Sequence, residues 1–342
     1  MNAKSRVAVL GAGAWGTVFA QICSDAGSNV SLLTRDRELA HAIGAGENPR
    51  NYPGVALPPI AASVDPAQVL EGADFVAVAV AAQQAGRFLA SLAELIPPHA
   101  LVVSLIKGIE LGTGRRMSEV FAEAAQLPPE RIAAVSGPNL AGELVQRQPG
   151  ATVVACADES QARRLAAVIA TPYFRPYVNP DLVGVEICGA MKNIIAVAVG
   201  AAQGMGLGLN SCATFLARGL AETTRLGLAL GADVETFAGM AGLADLTATC
   251  LSPLSRNHQV GENLGRGMAV ADAVAAAKGT AEAVQSCLAL QALAREHGVE
   301  VPITDAVVEV LHHGVPAAEM GAVLLSRPFR SEGSRYEVWS DS

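Results

Sequence analysis

The sequence predicts an α/β chain, with an N-terminal Rossmann-type doubly wound sheet followed by an all-α C-terminal domain. Three observations carry that expectation. Short, continuously apolar runs alternate with helix-like stretches through the first half, as in a parallel sheet covered on both faces. A glycine-rich turn, Gly11-Ala12-Gly13-Ala14-Trp15-Gly16, joins the first run to the first helical stretch. Beyond about Asp181, long Ala-, Leu- and Val-rich stretches at helical period take over, with no convincing strand.

Residues 6–10 (RVAVL) read as a buried strand, 15–26 as a helix and 29–34 (NVSLLT) as a second strand. A polar helix is expected over 35–43, and the Gly-, Pro- and Asn-rich segment 44–59 reads as an excursion loop. Apolar runs at 75–80 and 101–105 flank a helical pattern at 85–95. A helix at 117–125 and strands at 132–135, 152–155 and 175–178 complete the first half. Helices are then expected over 183–199, 211–230, 233–238, 269–277, 280–297, 303–312 and 317–325. Gly231, Gly298 and Gly314 stand where C-caps belong, with Pro302 and Pro316 near helix starts. The tail from Ser326 is polar, and no internal repeat stands out. The expected division is a dinucleotide-binding domain over 1–181 and a helical substrate and catalytic domain over 182–342.

The 342 residues are 51% hydrophobic and only 16% charged, with a mean hydropathy of +0.34, so a membrane protein is the first alternative to weigh. The longest uncharged run, 193–217, is broken by Gly200, Gly204, Gly206, Gly208, Gln203 and Asn210. Such a run is a poor spanning helix, and no integral membrane segment is expected. A net charge of −8 without a basic block or basic-aromatic stripe lacks the footprint of nucleic-acid binding. The six cysteines are scattered singly, with no CxxC pair and no zinc-ligand spacing. No metal site is expected, and the thiols read as buried and free in a reducing compartment. Residues 1–11 run straight into a strand without a signal-peptide core, so the expected location is cytoplasmic.

Each glycine of the fingerprint has its own task. Gly11 allows the tight turn, Gly13 lets a pyrophosphate approach the backbone, and Gly16 lets helix and sheet pack closely. A plain strand–helix turn would show the same residues. At the end of the second strand, where an acidic residue would select NAD, stands Thr34-Arg35-Asp36-Arg37. Arg35 could engage a 2′-phosphate, so NADP is favoured and NAD stays open; the bland reading of Arg35 and Arg37 is a solvated helix start.

Of the 24 Lys and Arg residues only Lys4, Lys107, Lys192 and Lys278 are lysines, so each invites a reason. Lys192 is the one charged side chain between Ile187 and Ala217. Desolvation on an apolar helix would disfavour its charged form, which suits proton donation to a developing alkoxide; the alternative is snorkelling to a helix end. Lys107 follows the strand at 101–105, at the carboxyl edge where ligands of open α/β sheets sit. Asp245 is a lone carboxylate among small and apolar residues. Ser255-Arg256-Asn257-His258 forms a compact donor set suited to an oxyanion such as phosphate, although a surface loop would look similar. Ser136-Gly137-Pro138-Asn139 follows another strand and could deliver backbone donors, and Glu282 reads as a ribose contact or a helix-dipole partner.

Taken together, these motifs resemble one family, the soluble NAD(P)-dependent glycerol-3-phosphate dehydrogenases. The resemblance runs from Gly11 to roughly Arg330: GAGAWG at 11–16, SLIKGIELGTGRRMSEV at 104–120, SGPNLAGE at 136–143, GVEICGAMKNIIAVAVG at 184–200, RGLAETTRLGLALGA at 218–232 and AGLADLTATCLSPLSRNHQVG at 241–261. It implies reversible reduction of dihydroxyacetone phosphate to sn-glycerol 3-phosphate, feeding glycerophospholipid synthesis, with Lys192 as proton donor and acceptor. It further implies that Lys107, Gly137, Asn139, Lys192, Asp245, Ser255, Arg256 and Asn257 contact the small phosphorylated substrate. Lys107 and Asp245 would orient the ketone, and Arg256 and Asn257 would hold the phosphate. Gly11, Gly13, Ala14, Trp15, Gly16, Arg35, Lys107, Ala141, Arg256 and Glu282 fall at cofactor positions, and the family's usual state implies a homodimer.

The chain departs from the family pattern at several places. Ala81-Ala82 replaces a Pro-Ser pair, Asn139 replaces a small polar residue, and Gln203, Leu209 and Cys212 alter a D-G-L-G-x-G-x-N-x-[KR] stretch. Gly279-Thr280-Ala281-Glu282-Ala283 replaces the usual V-x-E-G. These leave a specialised paralogue, acting on a related phosphorylated or phosphonate hydroxyalkyl compound, as the rival reading. A non-catalytic dinucleotide sensor is the third, and it would have no use for Lys192.

Overall fold

The structure, a computed structural model, describes residues 4–277 and 281–326. Lys278, the altered Gly279-Thr280 and the tail from residue 327 lie outside the described residues. The chain forms two compact units: Met1–Lys107 with Arg116–Leu182, and Gly108–Arg115 with Val183–Ser342. The second unit thus takes a short piece from the middle of the first, where the sequence predicts a single cut at 181/182.

The strands of the first unit are β1 (Arg6–Leu10), β2 (Asn29–Leu33), β3 (Glu47–Asn48), β4 (Tyr52–Ala56), β5 (Ala61–Ser63), β6 (Phe75–Val78), β7 (Leu101–Ser104), β8 (Ile132–Ser136), β9 (Gly150–Cys156) and β10 (Phe174–Asn179). Its helices are α1 (Ala14–Asp25), α2 (Arg37–Gly44), α3 (Pro66–Leu70), α4 (Ala82–Ala90), α5 (Met117–Ala124), α6 (Ala141–Leu144) and α7 (Glu159–Ile169). Among the described residues, eight strands form one sheet in the order β10-β9-β8-β7-β6-β1-β2-β5. Alternate residues of β1 feed opposite faces. Val7 and Val9 pack in a core with α1 and α7, while Ala8 and Leu10 pack in one with α4 and α5. Strand order reverses at β1, so the glycine turn lies at the switch point where such sheets bind ligands.

Four features of this unit depart from the sequence expectation. The β8–β9 pair is antiparallel, with Ala133 opposite Cys156 and Ser136 opposite Val153. The intervening chain carries only the four-residue α6 rather than a full crossover helix, and a simple reversal suffices for antiparallel pairing. The excursion at 44–59 contains the β3–β4 hairpin. Strand β5 and helix α3 were hidden by their shortness, although Asp65 caps α3 and Pro66 opens it. Helix α7 was hidden by its polarity, although Asp158 accepts from the amides of Ser160 and Gln161 at its start.

The second unit is helical: α8 (Leu182–Gly204), α9 (Leu209–Ala229), α10 (Val234–Ala238), a π-helical turn at Met240–Ala244, α11 (Asp245–Leu251), α12 (Arg256–Gly265), α13 (Val270–Ala276), α14 (Ala283–Glu296), α15 (Pro302–His313) and α16 (Ala317–Leu325). Gly314 is left-handed at the end of α15 (φ 74°), as its predicted capping role requires. Helix α8 is long and apolar enough to cross a membrane, but 83% of its most apolar window is buried within the protein, as in a core helix. Ile109, from the inserted piece, is fully buried in the same core as Ile187, Met191 and Leu290.

Helices α8 and α12 meet backbone to backbone. A Cβ on Gly200 would lie 2.2 Å from the His258 carbonyl oxygen, and one on Gly204 would lie 2.1 Å from that of Glu262. In return, a Cβ on Gly261 would lie 2.0 Å from the Val197 oxygen, and one on Gly265 2.2 Å from that of Ala201. Only glycine on both helices permits this approach, which fixes α12 against the helix that carries Lys192. Glu222 of α9 anchors α15 in similar depth: its carboxylate accepts from the Ile303 and Thr304 amides at 2.9 and 3.0 Å and from the Thr304 hydroxyl.

Candidate active site

In the first unit, the three fingerprint glycines do three different things. Gly11 has φ +117°, and a Cβ there would lie 2.5 Å from the Ala79 oxygen. A Cβ on Gly16 would lie 2.0 Å from the Gly11 oxygen, so α1 could not start so close to β1. A Cβ on Gly13 would meet nothing within 4 Å. Gly13 is the N-cap of α1, no side chain caps that helix, and its first turn carries no acid. An open cradle before uncapped helix amides is the environment a pyrophosphate requires, so these residues fit the dinucleotide.

Beyond β2, Asp36 is already engaged. Its carboxylate accepts from the amides of Glu38 and Leu39 as the N-cap of α2 and pairs with Arg50. The Leu39 amide and the Arg50 guanidinium hold this carboxyl below its usual range. Arg35 and Arg37 are exposed beside it.

Lys107 ends the first unit's opening segment, and its Nζ donates to the Gly137 carbonyl at 2.9 Å. The turn after β8 is tightly built. Gly137 has φ +151°, and a Cβ there would lie 3.0 Å from the Thr152 Cα. Asn139 Nδ2 donates to Thr152 Oγ1 at 3.0 Å, and that hydroxyl donates to the Ser136 carbonyl. Asn139 Oδ1 and Ser136 Oγ are buried without a hydrogen-bond partner. Lys107, Gly137 and Asn139 therefore share one corner, with half-buried Ala141 just beyond at the start of α6.

The second unit contributes a separate cluster. Lys192 (8% exposed) and Asp245 (1% exposed) form a buried ion pair, and Lys192 Nζ also donates to Thr249 Oγ1 at 2.9 Å. The sequence presents Lys192 as a lone charge; the fold gives it a carboxylate from 53 residues away. Thr249 was missed by sequence reasoning, although its spacing from Asp245 puts both on one helix face. The neighbouring Asn193 is also engaged. Its Oδ1 accepts from Asn257 Nδ2 at 2.9 Å, and Asn257 Oδ1 accepts from the Ala283 amide at 3.2 Å.

Ser255-Arg256-Asn257 is therefore not a loop of three equivalent donors but the start of α12. Ser255 is the N-cap and its Oγ accepts from the His258 amide. Asn257 is buried and tied to α8 and α14, while Arg256 is exposed. Glu282 precedes α14 next to this tie. Burial pushes its carboxyl up, and the Arg256 charge opposes that shift. All six cysteines are free and buried, and among the described residues no three His, Cys, Asp or Glu side chains are placed to hold a metal.

Comparison with known proteins bears on both units. Residues 6–162 match the family model for the N-terminal part of NAD-dependent glycerol-3-phosphate dehydrogenase, and residues 181–322 match that for its C-terminal part. The chain belongs to this dehydrogenase family. It is 53% identical over 334 residues to a glycerol-3-phosphate dehydrogenase [NAD(P)+] of Streptomyces griseus, spanning 97% of this chain and 99% of the relative. It is 52% identical over 337 residues to the protein of the same name from Thermobifida fusca, spanning 98% and 100%. The crystal structure of glycerol-3-phosphate dehydrogenase from Coxiella burnetii aligns with a TM-score of 0.89 at 33% identity, covering 95% of this chain and 99% of that one. The dehydrogenase family thus spans the glycine turn, Lys107 and the Lys192–Asp245 pair in one chain.

Proposed function

We propose that the protein reduces dihydroxyacetone phosphate to sn-glycerol 3-phosphate with NAD(P)H, reversibly, using Lys192 as proton donor and acceptor. The observation that carries the reading is the buried Lys192–Asp245–Thr249 cluster, a proton-bearing group held by two partners inside an apolar helical core. Gly11, Gly13, Gly16 and the start of α1 bind the dinucleotide, and Arg35 favours the 2′-phosphate of NADP without excluding NAD. When bound at these residues, a reduced nicotinamide would supply the hydride that C2 of the ketone takes up. Lys192 gives a proton to the ketone oxygen, leaving the alcohol and a neutral amine that regains its proton from solvent; the reverse reaction returns it. Asp245 and Thr249 hold Nζ in line for that transfer.

Exposed Arg256 takes the phosphate, and Asn257 fixes the helix that presents it. Lys107, Gly137 and Asn139, drawn together by the turn after β8, also serve substrate binding in this reading. The same reading makes the product a precursor for glycerophospholipids, the compartment the cytoplasm and the working state a homodimer.

The test follows NADPH oxidation with dihydroxyacetone phosphate for wild type, Lys192→Ala and Asp245→Asn. Wild-type turnover that falls by at least about 10²-fold in Lys192→Ala supports the assignment. Full activity in that variant would remove Lys192 from the proton step. Much faster turnover of another hydroxyalkyl phosphate or phosphonate would reassign the substrate.

A further inference from the structure

The β3–β4 hairpin does more than fill an excursion: two of its side chains reach the glycine turn and a third reaches Thr17 just behind it. Tyr52 Oη donates to the Ala14 carbonyl at 3.0 Å, and Asn51 Nδ2 donates to the Ala12 carbonyl at 3.2 Å. Asn48, fully buried, donates to Thr17 Oγ1 at 2.9 Å, and that hydroxyl donates to the same Ala12 carbonyl. Asn48 Oδ1 in turn accepts from the Asn51 amide at 3.1 Å, closing a ring of polar contacts between hairpin and turn.

A trans peptide is planar, with its C=O and N–H pointing in opposite directions. Holding the Ala12 and Ala14 carbonyls toward the hairpin therefore turns the Gly13 and Trp15 amides away from it. Those amides flank the open position at Gly13, where a Cβ would meet nothing. Two like-oriented amides at a helix start form a concave anion site.

We infer that Asn51 and Tyr52 are positioning residues that aim the glycine-turn amides at the cofactor pyrophosphate by gripping the opposite ends of the same peptides. This rests on the dinucleotide-binding reading of the first unit. The residues act through the backbone and need no contact of their own with the ligand.

The test measures Kd for NADPH and NADH, KM for each substrate, kcat and Tm in wild type, Tyr52→Phe, Asn51→Leu and Gly13→Ala, and in the double variant Tyr52→Phe with Gly13→Ala. Loss of one such hydrogen bond is expected to weaken the preferred dinucleotide about 3- to 10-fold in each of the first two variants. The phosphorylated substrate's KM, kcat at saturating cofactor and Tm stay near wild type. In the double variant Tyr52→Phe adds little, because the cradle it serves is already filled by the alanine. A hairpin that merely supports the fold would lower Tm and kcat together and leave the cofactor effects additive. Unchanged dinucleotide affinity in Tyr52→Phe and Asn51→Leu, or full additivity with Gly13→Ala, overturns the inference alone. Failure of wild type to bind either dinucleotide overturns the underlying reading as well.

Discussion

Gly261→Ala tests whether the α8–α12 contact sets the geometry of the Lys192 cluster. The new Cβ would lie 2.0 Å from the Val197 oxygen, about 1 Å inside the 3.0 Å that real Cβ contacts respect. Both atoms are held by helical backbone, so the helices must separate by roughly that amount rather than let a side chain swing aside. The Asn257–Asn193 hydrogen bond spans 2.9 Å between the same helices, and an added ångström takes it beyond bonding range. Overpacking and the loss of this buried hydrogen bond together cost about 3 kcal/mol, or a fall in Tm of roughly 6–12 °C. The larger effect is on turnover. Moving α12 relative to Lys192 by 1 Å is expected to lower kcat by about 10²-fold, measured as NADPH oxidation well below the Tm. Gly208→Ala is the control, since a Cβ there meets nothing and its backbone (φ −79°, ψ −178°) suits any residue. A folded Gly261→Ala protein with wild-type kcat would refute the idea that close glycine packing positions the cluster.

Three further outcomes follow from the geometry. Gly13→Ala leaves Tm unchanged and weakens dinucleotide binding by at least about 10-fold in titration calorimetry, whereas Gly16→Ala, 2.0 Å from the Gly11 oxygen, lowers Tm as well. Arg35→Ala raises KM for NADPH about 10-fold and leaves that for NADH nearly unchanged, as steady-state kinetics with each cofactor would report. Burial pushes the His258 imidazole below its usual range, against the pull of Glu262, and its Nδ1 is buried without a partner. With the folded value depressed, the unfolded chain takes up the proton first. His258 thus contributes stability that is present above about pH 6.5 and lost as pH falls through the depressed folded value. Urea titrations across that window should show a steeper acid loss in wild type than in His258→Gln.

What the residues revealed, and what they hid, follows the range of the interactions involved. The glycine fingerprint was legible because Gly11 and Gly16 work against atoms in their own turn or beside the adjacent strand, with Gly13 left open between them. Lys192 drew attention as an isolated charge, but its partners Asp245 and Thr249 come from another helix, and no local pattern names them. Helix α12 was the instructive failure. RNHQVGENLG is polar and carries two glycines that look like breakers, yet Gly261 and Gly265 are what let its backbone rest on α8. Its stability is tertiary, so local propensity points the wrong way. The same holds for the β3–β4 hairpin, whose Asn and Gly residues read as a loop while Asn51 and Tyr52 find their partners on the glycine turn and Asn48 finds Thr17 of α1.

The piece Gly108–Arg115 has a bearing on how the chain is made. It belongs to the helical unit and buries Ile109 there, yet it leaves the ribosome before any of helices α8–α16 exists. At roughly 5–20 residues per second it waits several seconds for its core, with an apolar side chain uncovered between β7 and α5. The sheet can therefore assemble during synthesis only around an unfinished loop. Cutting the chain once near residue 182 would strip the helical half of Ile109 and leave that residue bare on the other fragment. Two genes split at that point would be expected to yield fragments that aggregate alone and recover only when expressed together.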